Sequence, residues 1–82
     1  MRIEVTVNHI RRGVRHDGKW CPIALALREK FPGVSVVAYP NYIGISTEDF
    51  YPPPEATAFM MAFDRGVGVQ PFAFDLDGLE GP

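Results

Sequence analysis

The side chains able to bind or react gather in one stretch, His9-Ile-Arg-Arg-Gly-Val-Arg-His-Asp-Gly-Lys-Trp-Cys-Pro22. It holds four of the eight Lys and Arg residues, both histidines, the single tryptophan and the single cysteine. Arg11, Arg12, Arg15 and Lys19 offer positive charge to phosphate or carboxylate. Cys21-Pro22 then signals a helix start, because proline at the first helical position gives up only an amide that would be unpaired anyway. A helix N-terminus directly after a basic loop suits an anion. The glycines, however, fall at 13 and 18 without phosphate-loop spacing, and no Lys-Ser/Thr pair follows. A small acyl-phosphate hydrolase would need a tight glycine-rich loop and an asparagine within its third strand. The nearest asparagine, Asn41, falls at a turn instead.

Cys21 invites a second reading. A cysteine at a helix N-terminus, with His16 and Lys19 nearby in sequence, has the ingredients of an activated thiolate, and His16-Asp17 resembles part of a triad. Adjacent residues in a turn seldom face each other, and Cys21 is equally explained as a weak cap and small apolar filler. His9, His16 and Cys21 are three potential metal ligands where a closed zinc site needs four, so no metal is expected. No motif calls for a cofactor. Trp20 stands among Lys and Arg, the company in which tryptophan anchors protein interfaces. Its structural alternative is a staple folded over the following helix. The candidate binding surface is therefore Arg11, Arg12, Arg15, His16, Lys19 and Trp20. A macromolecular partner is the first reading. A small anion- or phosphate-binding enzyme or sensor, using the same loop and the helix start, is the second. No reaction is specified, and binding is favoured over catalysis.

The whole chain narrows the choice of partner. Its 82 residues are 46% hydrophobic and 22% charged, as in ordinary globular domains. One cysteine cannot form an internal disulfide and fits a reducing cytoplasm. The longest apolar run, Ile23 to Leu27, is far below the roughly 20 residues that cross a bilayer. Residues 1–30 carry seven positive and three negative side chains, the remainder one and seven. The basic half supports a binding face, yet the net charge of −2 and the scarcity of aromatics on the first strand argue against nucleic acid. An exposed edge of the second strand leaves a homodimer by strand pairing open.

The elements that must position the loop read as follows. Arg2 to Val7 alternates as a half-buried strand. Asn8 caps a turn from His9 to Arg12, which Gly13 stops, and Gly18 supplies a positive φ to the turn His16-Asp-Gly-Lys19. A helix from Pro22 buries Ile23, Ala24, Leu27 and Phe31 and ends at Pro32-Gly33. Strands at 34–39 and 42–47 form a hairpin about Pro40-Asn41, with Asn tolerating the left-handed region. Residues 48–54 read as an acidic, then proline-rich loop. A second helix through Phe63 buries Ala56, Phe59, Met60 and Phe63, stops at Gly66, and is followed by a strand at 72–76. The expected fold is α+β: a four-stranded antiparallel sheet with two helices on one face, in βαββαβ ferredoxin-like order. A four-stranded α+β meander is the alternative. A single domain is expected over residues 1–78, with a frayed tail at 79–82.

Several motifs then recur together: His9-Ile-Arg-Arg-Gly13, Cys21-Pro-Ile-Ala-Leu-Ala-Leu-Arg28, Phe31-Pro-Gly33, Phe63-Asp-Arg-Gly66 and Pro71-Phe-Ala-Phe74. In this the chain resembles, over nearly its whole length, a group of small proteins of actinobacteria and their bacteriophages for which no activity is established. The resemblance implies a phage-borne accessory protein in the host cytoplasm and assigns no residue a role.

Overall fold

The alternation of Ile3 and Val5 with Arg2 and Glu4 makes β1 (Arg2–Val5), a strand with one buried face. It ends two residues early because Thr6, rather than Asn8, caps the short helix α1 (Val7–Arg12). The Thr6 hydroxyl accepts the His9 amide at 3.3 Å, and His9 Nδ1 accepts the Thr6 amide at 3.0 Å. Histidine here fills the place that Glu or Gln takes in most capping boxes. With Nδ1 accepting, the ring proton of neutral His9 sits on Nε2, which is 3.0 Å from Glu29 Oε1 and donates to it. His9 is only 3% exposed. It is occupied in joining α1 to the next helix.

That helix, α2 (Pro22–Lys30), buries Pro22, Ile23, Ala24, Ala26 and Leu27. It is followed by β2 (Val36–Tyr39), β3 (Tyr42–Ile45), β4 (Glu48–Phe50), α3 (Pro54–Asp64) and β5 (Phe72–Asp75). The computed structural model describes residues 1–76, so the expected tail at 79–82 lies outside the described residues.

The expected four-stranded sheet does not form, in either ferredoxin-like or meander order. The described residues instead form two sheets and three helices. β1 pairs antiparallel with β5, from Arg2↔Asp75 to Val5↔Phe72. β2, β3 and β4 make a separate antiparallel meander, with Val36 opposite Ile45 and Ile43 opposite Phe50. The cause is local. Ser46 adopts φ 58° immediately after β3. The chain therefore reverses at once, and Glu48–Phe50 takes the edge of β3 that a ferredoxin-like order reserves for β1. Residues 48–50 are thus a strand, not the loop their acidity suggests.

The inward faces of the two sheets contribute Ile3, Val5, Phe74 and Leu76, and Val36, Ala38, Ile43, Ile45 and Phe50. Ile23 and Leu27 of α2, both fully buried, join the same core. Each such side chain contributes about 1.5–3 kcal/mol on leaving water. α3 is sealed by aromatic stacking: Phe59 on Phe72 at 4.6 Å between centroids, and Phe72 on Phe74 at 5.5 Å. The Thr57 hydroxyl donates to the Pro40 carbonyl at 2.7 Å, tying α3 to the β2–β3 turn. Asn41 in that turn is not left-handed; His16 and Ser46 are the non-glycine residues with positive φ among those described. No helix among the described residues is long and apolar enough to cross a membrane.

Candidate binding site

The loop between α1 and α2 is held at several points along its length. The Val14 amide donates to the Trp20 carbonyl at 2.9 Å, closing the loop on itself. Inside that closure the Asp17 carboxylate accepts the Lys19 amide at 2.9 Å, and the Asp17 carbonyl accepts the Cys21 amide at 2.9 Å. Two long-range bonds then dock the loop. The Ala38 amide of β2 donates to the Gly18 carbonyl at 2.7 Å. The His16 amide donates to Asp64 Oδ1, at the end of α3, also at 2.9 Å. The first of these occupies a hydrogen-bonding position on the outer edge of β2, the edge whose sequence leaves strand pairing between subunits open.

Both loop glycines serve differently from expectation. Gly13 ends α1 in an extended conformation, φ −69° and ψ 150°, not in the left-handed one of a helix stop. What matters is its missing side chain: a Cβ there would stand 2.5 Å from Pro22 Cδ and 2.8 Å from Pro22 N. Gly18 does not supply the positive φ of its turn; His16 does, at 58°. Gly18 instead lies beneath the Tyr39 ring, where a Cβ would overlap it. The left-handed His16 costs about 1 kcal/mol or more, and its bond to Asp64 helps hold it there.

The six predicted site residues divide between neighbours. Arg11 and Arg12 are exposed in the last turn of α1, where they complement its C-terminal dipole. Arg15 is exposed and lays its guanidinium against Gly66, just beyond α3. His16 also turns toward α3, with Nδ1 3.9 Å from Asp64 Oδ2 and its side chain 75% exposed. Trp20 and the backbone of Lys19 meet α2 instead. The Arg28 guanidinium lies 4.2 Å from the centre of the Trp20 ring, and Arg28 Nε donates to the Lys19 carbonyl at 3.0 Å. Trp20 remains 47% exposed. It is braced by a cation on its face rather than folded away as a staple.

Behind the loop is a cavity of about 230 Å³. Its walls come from the loop (His16, Asp17, Gly18), the start of α2 (Cys21, Pro22), the β2–β3 turn (Ala38, Tyr39, Pro40) and α3 (Met60, Phe63, Asp64). Cys21 is buried and donates weakly to the Ala38 carbonyl at 3.8 Å. Burial pushes its thiol above the ordinary value of 9.0, and the Asp64 and Asp17 charges add to the rise. The nearby Ile23 and Ala24 amides pull the other way but do not prevail, and the thiol makes no capping bond to α2. The group is therefore a protonated thiol at neutral pH, not the activated nucleophile its position suggests. His16 and Asp64 share its cavity without changing that. The first-turn residues Pro22, Ile23 and Ala24 are buried, so α2 presents no open amides to an anion held by the loop.

Among the described residues no group of three or more His, Cys, Asp and Glu side chains is placed to hold a metal ion. Sequence reasoning did not single out Arg28, Tyr39 or Asp64. Arg28 carried a weak signal, since it falls two helical turns after Cys21 and can reach back to the loop. Asp64 and Tyr39 carried none. In comparisons with known proteins, no family model, no curated protein and no solved structure matches this chain.

Proposed function

We propose that this protein is a small non-enzymatic binding module that docks onto a partner protein through the loop from Arg11 to Trp20. The observation that carries the reading is Trp20: half exposed, with Arg28 stacked on its ring, in a loop hydrogen-bonded to both β2 and α3. An exposed tryptophan already held in one orientation loses little freedom on association, and this pre-organisation raises affinity. Arg11 and Arg12 at the end of α1 and Lys19 beside Trp20 in sequence, all exposed, suit a partner surface carrying carboxylates. Charged rims of this kind speed encounter and select partners more than they add affinity. In keeping with the resemblance to phage and actinobacterial proteins, the partner is a host or phage protein in the cytoplasm. Nucleic acid is not the partner we propose, because the chain is acidic overall and exposes further carboxylates, Glu48 and Asp49, on β4.

The test places a photo-crosslinking amino acid at position 19, and in a second protein at position 4 on β1. Both are exposed to a bacterial lysate beside the otherwise wild-type chain. A discrete crosslinked species from position 19, absent from position 4 and lost in a Trp20→Ala, Arg15→Ala double variant, is the expected result. Identical profiles for the wild type and the double variant would contradict the reading.

A further inference from the structure

The cavity behind the loop has a composition that the basic loop in front of it conceals. Tyr39, Met60 and Phe63 make much of its wall, and its charged lining groups are Asp17 and Asp64, with His16 at their side. No Lys or Arg lines it. Among the described residues neither carboxylate is paired with a Lys or Arg; Asp64 has only the distant His16 ring. Each carboxylate accepts one backbone amide through Oδ1, Asp17 from Lys19 and Asp64 from His16, so each retains acceptor capacity on its second oxygen. The field of both acids reaches the cavity floor, where it adds to the rise in the Cys21 thiol's pKa.

We propose that this cavity receives an organic ammonium group carried on a short apolar stem, with Asp64 and Asp17 as its counter-charges. An aromatic and thioether wall beside two carboxylates matches such a group at both ends. The stem displaces water from Tyr39, Met60 and Phe63, and the head gains electrostatic attraction from the acids and from the aromatic faces. Asp64 keeps 24% of its side chain exposed, so the head stays partly hydrated and avoids the cost of burying a bare charge. At about 230 Å³ the cavity is below the roughly 300 Å³ at which pockets for drug-sized ligands begin. It therefore holds one side-chain-sized stem. Both a free alkylamine and a lysine side chain on another protein have this chemistry.

The inference shares the loop with the proposed function but does not use Trp20, so the two can fail separately. The experiment is a proton–nitrogen correlation titration of the intact protein. The probes are n-butylammonium chloride, its neutral isostere n-butanol, sodium butyrate and a blocked Gly-Gly-Lys-Gly-Gly peptide. The ammonium is expected to shift the Gly18, Ala38 and Asp64 amides saturably. Butanol should bind about fivefold more weakly, and butyrate should not saturate. Asp64→Asn, which retains an oxygen for the His16 amide, and Asp17→Asn should each weaken the ammonium about fivefold. Shifts of the same amides by the peptide would support a protein's lysine as the source, and shifts by the alkylammonium alone a free amine. Equal affinity for ammonium, butanol and butyrate, or no saturable shift at these amides, would overturn the proposal. If Asp64→Asn unfolds, unchanged affinity in Asp17→Asn overturns it too. The Trp20 indole resonance in the same spectra monitors the outer face, so silence at the cavity leaves the loop reading standing.

Discussion

Gly13→Ala is expected to lower folding stability by about 3 kcal/mol, roughly the upper end for overpacking a well-filled site. The sign separates two accounts of this residue. At φ −69° and ψ 150° the backbone of Gly13 suits any amino acid. Were conformation the whole matter, alanine would stabilise the protein by about 0.4–1 kcal/mol, by restricting the unfolded chain. The added Cβ instead meets Pro22 Cδ at 2.5 Å, Cγ at 2.6 Å and backbone N at 2.8 Å. Pro22 is fully buried at the start of α2, and its ring cannot swing aside as a long side chain would. Either α1 lifts from α2 or the core beneath Pro22 shifts. Gly33→Ala is the control: its φ is 78° with nothing within 4 Å of the built Cβ, so only the left-handed penalty of about 1–2 kcal/mol applies. Urea unfolding of both variants decides the matter. A Gly13→Ala protein as stable as the wild type would mean that the two helices do not approach this closely.

Trp20→Ala has the largest effect expected on binding. Loss of a central tryptophan anchor costs about 2 kcal/mol, some thirtyfold in affinity. Folding stability should hardly move, because Trp20 is half exposed and its brace, the Arg28 guanidinium, is worth only about 0.5–1 kcal/mol at such a site. Arg28→Ala should give a smaller loss of affinity, since the ring remains but is no longer held. The measurement is calorimetric titration against the partner captured from position 19, with urea unfolding alongside. If affinity falls only in step with stability, Trp20 acts through the fold and is not an anchor.

The parts of this fold legible from sequence are those with a strong local cause. β1, β2, β3 and β5 carry β-branched or alternating runs, and α2 and α3 open on prolines that mark their first turns. What was not legible depended on one residue's conformation or on distant partners. β4 has a single apolar residue, Phe50, behind two acids, so its strand character comes from pairing with β3. The reversal that creates it rests on a left-handed Ser46, which no local pattern announces. Thr6 and Asn8 are both good caps, and the choice falls to Thr6 because His9 completes the box. The candidate site divides the same way. Its residues were conspicuous by type, but the groups that orient them are remote: Arg28 lies nine positions from Lys19, and Asp64 forty-eight from His16. That distance is why Asp17 looked like the partner of His16 and why the acidic cavity behind a basic loop stayed hidden.

Whether the loop from Arg11 to Trp20 is a preformed face is tested most directly, and without a partner, by native-state hydrogen exchange. The amides of Val14, His16 and Ala38 donate to Trp20, Asp64 and Gly18, respectively. If the loop is docked as described, all three should exchange only through openings that cost above about 3 kcal/mol, approaching the core strands. Exchange of Val14 and His16 at the rate of an unstructured chain would contradict it, because a loop that opens freely holds neither Trp20 nor the cavity in place.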